Sequence, residues 1–164
     1  MSSISDILAQ MMQSSAFQYE LKRIQEWATN ELYKAVQEQV YSQPEGTSYT
    51  RTMDLLAAIL PTDLIVTPTS IEFKVIFDES SMHHYSLYGS EEYGLSPGDP
   101  IGGLIVPFLN EGWRWKDYSG EPDNYRAREG THFLEKAIEK IQADVVTMVQ
   151  GALSAEVRKI GGKY

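Results

Sequence analysis

The sequence predicts an α+β fold: a small antiparallel sheet with two long helices, one N-terminal and one C-terminal, packed on it, plus long loops. Three patterns carry this expectation. Apolar residues recur at spacings of three and four over Ala16–Val40, and the same period returns from Leu134 to Leu153. Between the two, SIEFKVIFD alternates apolar and polar residues, the period of a half-buried strand.

In chain order, residues 1–14 carry Ile4, Ile7, Leu8 and Met11 and suit either a second short helix or a mobile arm. A single domain is expected over 16–160, with 1–15 as the arm and 161–164, opening on Gly161 and Gly162, as a tail. In the first long helix, Phe17, Leu21, Ile24, Ala28, Leu32, Ala35 or Val36, and Val40 form the apolar stripe and Trp27 widens it. Glu20, Lys22, Arg23, Glu26, Glu31, Lys34 and Glu38 are expected on the other faces, and Pro44 and Gly46 stop the helix.

Thr52 then suits an N-cap, with Asp54 in the first turn where the helix dipole favours an anion. The short helix so begun would hold Leu55, Leu56, Ile59 and Leu60 and end at Pro61. LIVTPT is the expected partner of SIEFKVIFD, in which Ile71, Phe73, Val75 and Phe77 share a face; Pro68 fits an edge. From Glu79 to Asp99 the pattern disappears among Gly89, Gly94, Pro97 and Gly98. GGLIVPFLNEGW suits a short helix or a strand equally, because length alone does not decide between them. Gly112–Arg128 reads as an irregular loop, and Thr131 as the N-cap of the last helix, whose stripe is Leu134, Ile138, Ile141, Val145, Met148, Ala152 and Leu153.

Composition narrows the function. The 164 residues contain no cysteine, which excludes disulfides and thiolate chemistry. No apolar run approaches the ~20 residues that span a bilayer. The start, MSSISDILAQMMQSS, has neither the basic nor the apolar region of a secretion signal, so synthesis in the cytosol is expected. A formal net charge of -9 opposes a grip on DNA, which draws on Lys and Arg neutralising phosphates. It does not oppose an acidic wall that DNA slides past.

Chemistry is sparse. His83 and His84 are adjacent, and Asp78 and Glu79 lie near in sequence, yet no cysteine and no i, i+4 helical pairing completes a metal motif. Ser80, Ser81 and Ser86 lack a nucleophile elbow, and Gly102–Gly103 lacks a phosphate-cradling pattern. The pair Glu91–Glu92 works as acid and base only across a cleft; otherwise it is solvated charge. The expectation is therefore a protein that is not an enzyme, with no cofactor and no metal. The residues that stand out are Trp113, Arg114, Trp115, Lys116, Tyr118, Tyr125, Arg126 and Arg128, the residue types enriched at protein interfaces. Trp113 suits equally a lid folded back on the core.

Two stretches resemble a known family. YTRTMDLLAAI (Tyr49–Ile59) is similar to the Y-x-R-T-x-x-L-x-x-x-I segment of tailed-bacteriophage head–tail joining proteins, also called neck or tail-completion proteins, and minor capsid or tail components. VPFLNEGWRWKD followed by REGTHFLEKAIEKI resembles that family's apolar-acidic-Gly turn, variable loop and G-T-x-F-L opening of the final helix. Arg51, Thr52, Leu55, Gly112, Gly130, Thr131, Phe133 and Leu134 carry the likeness, and the parts keep the family's order over roughly residues 16–155. Met53 stands where that pattern often has glycine, and the 79–100 segment is longer than in compact members.

The resemblance implies a non-enzymatic part of the virion, made in the host bacterial cytoplasm and located in the neck. It implies a homo-oligomeric ring, six- or twelve-fold, between the portal or connector and the tail-tube or tail-terminator protein, through which DNA passes without specific binding. Two alternatives stand beside it: a cytosolic adaptor or regulator binding one protein through Gly112–Arg128, and a small metal-dependent hydrolase built on His83 or His84.

Overall fold

The computed structural model describes residues 4–42, 53–67, 70–86, 90–91, 93–116 and 125–161, with the backbone alone at 4–5, 8, 113–116 and 125–128. The chain is α+β, with two long helices and small antiparallel two-stranded sheets.

Residues 4–13 form a helix, α1 (Ile4–Gln13), whose Met11 is fully buried. Ser14 separates it from the first long helix, α2 (Ser15–Val36), and caps α2 by accepting the Phe17 N–H on its hydroxyl. The predicted stripe is the buried one: Phe17, Leu21, Ile24, Ala28, Leu32 and Val36 are all enclosed. The last turn, Gln37–Tyr41, widens to a π-helix that keeps Val40 buried below Val36. Glu31 departs from expectation. It lies on the enclosed side, where its carboxylate meets Lys34 at 2.8 Å and Lys140 at 3.8 Å. A buried carboxylate needs such partners to stay charged.

The second long helix, α5 (Phe133–Gly161), runs antiparallel to α2, and the two share the most extensive contact between elements. The direction is fixed at both ends. Ser14 donates to Glu156 at 2.5 Å, and Lys136 donates to Gln39 at 2.5 Å. The predicted α5 stripe is the packed one at Leu134, Ile141, Val145, Met148, Ala152 and Leu153, all half-buried. Phe133 and Ala137 are the buried residues of its first turns, and Ile138 is 50% exposed.

The short helix α3 (Asp54–Ala57) is one turn long, with Met53 at the cap position and no side-chain cap; Thr52 and Arg51 lie outside the described residues. Ile59 and Leu60 do not extend it. They begin a strand, β1 (Ile59–Pro61), that pairs antiparallel with β4 (Val75–Phe77). Non-local pairing here overrides the local helical spacing. The expected partner segment supplies β2 (Ile65–Val66), paired with β3 (Ile71–Glu72).

The four strands are one long hairpin with a bulge. Between the Thr62–Lys74 and Ile65–Glu72 pairs, Asp63 and Leu64 stand opposite Phe73 alone. The predicted alternation survives: Ile71, Phe73, Val75 and Phe77 are half-buried, while Glu72, Lys74 and Ile76 are exposed. One core cluster unites α2, α3, β1 and α5 through Leu32, Val36, Leu55, Leu56, Ile59 and Phe133. A second joins α1 and α2 to the far end of α5 through Met11, Phe17, Leu21 and Ile24.

The stretch after β4 has short-range order only. Asp78 caps a 3-10 turn (Glu79–Ser81), and isolated bridges tie Tyr85 to Pro100 and Ser90 to Leu95. GGLIVPFLNEGW divides between both predicted forms: Gly102–Glu111 is a helix, α4, and Gly112 opens a strand. Among the described residues no helix is long and apolar enough to cross a membrane.

Candidate docking hairpin and its base

Gly112 leaves α4 with φ 92°, a left-handed conformation that glycine adopts without a Cβ penalty. The chain then forms β5 (Gly112–Lys116), paired antiparallel with β6 (Tyr125–Glu129). Gly112–Arg128 is thus a β-hairpin, correcting the irregular loop that its glycines and charges suggest. Trp113 stands opposite Arg128 and Trp115 opposite Arg126; Arg114 and Lys116 pair with Ala127 and Tyr125. Tyr118 lies outside the described residues. The alternation was present in G-W-R-W-K and Y-R-A-R-E, but the ladder sets arginines of β6 opposite the tryptophans of β5, so the hairpin lacks the uniformly apolar face that marks a strand pair in sequence. The hairpin meets the body chiefly at α4.

The base of the hairpin is built with more care than its strands suggest. Where β6 returns to α5, the Thr131 N–H and hydroxyl both donate to the Leu109 carbonyl, at 3.0 and 2.8 Å. The His132 N–H donates to the Asn110 carbonyl at 2.9 Å, holding His132 at φ 51°. That conformation costs a residue with a Cβ about 1–2 kcal/mol, which the surrounding bonds must offset. Thr131 is therefore not the N-cap of α5. Asn110 fills that role from a different helix. Its side-chain oxygen accepts the Leu134 N–H at 2.9 Å, and its side-chain amide donates to Glu135 at 3.0 Å. No spacing within the α5 segment could reveal a cap supplied from the end of α4.

The family-type residues acquire physical roles here. Gly130 lies against the backbone of Asn110 and Glu111, Thr131 is buried, and Phe133 is fully enclosed in the core cluster that also holds Leu55. Leu134 is half-buried beside them. Gly130, Thr131, Phe133 and Leu134 thus join hairpin, α4 and α5 at one point.

The Glu135 carboxyl is held below the ordinary carboxylate range, first by its own backbone N–H, then by the Asn110 amide and by the charge of His132. Its contribution to stability is complete above the pKa of the unfolded chain and is lost as pH falls through the lowered folded value. A carboxyl titration followed by NMR should place Glu135 below the ordinary glutamate value. Asn110→Ala should raise it toward that value and cost about 0.5–2 kcal/mol through the lost cap. An unchanged Glu135 titration in that variant would remove Asn110 from this role.

The remaining candidates do not converge. His83 is exposed, while His84 Nε2 lies 3.7 Å from Asp54 Oδ2. Asp78 accepts from Ser80 at 2.6 Å and so belongs to the cap of its own turn. Ser81 donates to the Asp78 carbonyl, and Ser86 is buried with its N–H on the Asp99 carbonyl. Glu91 is exposed and Glu92 lies outside the described residues. Among the described residues no three His, Asp or Glu side chains are grouped closely enough to hold a metal ion.

An open apolar groove of about 590 Å³ lies beside β4, walled by α2, α4 and α5. Its residues come from separate parts of the chain, and no local period marks them.

No protein-family model, no curated protein and no solved structure matches the chain.

Proposed function

We propose that this chain is a structural protein of a tailed-phage neck, forming a ring at the head–tail junction that joins or completes the tail and lets DNA pass. The observation that carries the reading is the hairpin. A strand pair rich in Trp, Tyr and Arg stands on a braced base, and that base is made of the same Gly130, Thr131, Phe133 and Leu134 on which the family resemblance rests. Aromatic and arginine residues on a pre-ordered element dock a neighbour at low entropic cost. In this reading the hairpin is the docking arm and α5 fixes its root. Portal or connector subunits on one side and tail-tube or tail-terminator subunits on the other are the partners, and the acidic body, at a formal net charge of -9, lets DNA slide without sticking.

The test replaces Trp113 and Trp115 together by alanine. The expected result is a fold of near-normal stability and heads that no longer join tails, counted by electron microscopy of particles assembled with the variant. If the two indoles are instead part of the core, the same change costs about 3–5 kcal/mol each, and loss of joining would then follow from unfolding. Normal joining by a stable variant would end the reading of the hairpin as the arm of a neck protein.

A further inference from the structure

The outer edge of β4 is an open place in the sheet. The Asp78 N–H donates to the Ala58 carbonyl and the Thr62 N–H to the Lys74 carbonyl, which fixes Ala58–Asp78, Leu60–Ile76 and Thr62–Lys74 as the hydrogen-bonded pairs of the ladder. Val75 and Phe77 therefore turn their N–H and C=O groups away from β1, and among the described residues no backbone bond is made to them on that side. Sheets protect such edges. On the opposite edge, Pro61, one of the two outward positions of β1 beside Ile59, has no N–H to offer. The β4 edge has no such device. Beside it runs the apolar groove, lined by Phe73, Val75, Phe77, Val106, Ile138 and Ile141, with Ile138 50% exposed.

We infer that the β4 edge and this groove accept strand β5 of a second copy of the chain, added as an extra strand. This rests on the reading of the hairpin as a docking arm and names the surface it meets. Three observations select the occupant. Strand addition beside an apolar groove calls for apolar residues at alternate positions, and β5 has tryptophan at 113 and 115. The charged residue among those lining the groove is an acid, Glu79, and the residues paired with the two tryptophans across the hairpin are Arg126 and Arg128. In its own chain β5 pairs with β6 and not with β4, so the groove and the strand are left for different copies. Donor and acceptor are unlike surfaces of one chain. Repeating the contact therefore adds copies head to tail, and it closes only if the rotation allows.

The experiment is a complementation by mass. Sedimentation of the wild-type chain over rising concentration should show species larger than one copy. Val75→Pro removes an N–H that faces away from β1, so the ladder with β1 survives while strand addition is blocked. Ile138→Glu closes the groove from α5 without touching the sheet, should Val75→Pro disturb the fold. Each of these, and separately the Trp113→Ala, Trp115→Ala chain, should remain a single copy. An equal mixture of an edge-blocked chain and the tryptophan-less chain should form a two-copy complex and nothing larger, because it has one intact donor and one intact acceptor. A wild-type chain that stays single at every concentration, folded edge variants that associate like wild type, or a mixture that does not associate would each overturn the inference. The head–tail joining assay separates the two ideas. If joining still depends on the tryptophans but the mixture stays single, the arm docks another protein and only the self-docking fails. If the mixture associates but joining is normal, only the neck reading fails.

Discussion

Replacing Phe133 by alanine is expected to destabilise the whole domain by about 3–5 kcal/mol, a large part of the 5–15 kcal/mol typical of a domain's total stability. Phe133 is fully buried and packs edge-on against Phe77, with ring centroids 6.0 Å apart and planes at 77°. It is the contact by which the first turn of α5 is held to the sheet, in the cluster that also contains Leu32, Val36, Leu55 and Ile59. The loss has two sources: the apolar area returned to water, and a cavity that the surrounding helices and strands fill incompletely. Urea denaturation measures it, with Phe133→Leu as the milder control that keeps most of the volume. A loss below about 1 kcal/mol for the alanine variant would mean that the site collapses around the cavity and that Phe133 does not organise the core.

Gly130→Ala is expected to act more locally, at the root of the hairpin, with a cost of about 1–3 kcal/mol. A Cβ there would lie 2.4 Å from the Asn110 carbonyl oxygen and 2.5 Å from the Glu111 carbonyl carbon. Both are backbone atoms, which cannot rotate aside as the end of a side chain would. The two strands of chain must therefore separate, and the bonds from Thr131 to Leu109 and from His132 to Asn110 lengthen with them. Amide hydrogen exchange reads this directly. Thr131 and His132 should lose protection while the Phe17–Val36 helix keeps its own. Unchanged protection at both amides would show that the approach at Gly130 is not what closes the base. Because Asn110 also caps α5, the variant should disturb the Glu135 titration in the same direction as Asn110→Ala.

The long elements were legible because each obeys a local period. Phe17 to Val40 repeats at helical spacing whatever surrounds it, and the same holds for the alternation from Ile71 to Phe77. Ile59 and Leu60 show where a period misleads. Two more apolar residues after Leu55 and Leu56 extend a helical reading, yet pairing with Phe77 and Ile76 draws them into a strand. Glu31 fails for a similar reason. Its burial depends on Lys34 and on Lys140, which stands far along the chain and is brought close only by the antiparallel packing of α2 on α5. At the candidate site, the residue types of the hairpin were visible but its ladder was not, and the Asn110 cap was invisible because donor and acceptor lie on different helices.

By itself the amino-acid sequence determined the α+β class, the two long helices, the half-buried strand and the residue chemistry of Gly112–Arg128. All of these follow from period and composition within short windows. The tertiary structure alone decided the β-hairpin, its braced base and the unprotected β4 edge with its groove. Each of these depends on which distant segments meet, and hydrogen-bonding and burial between distant segments leave no period in either one.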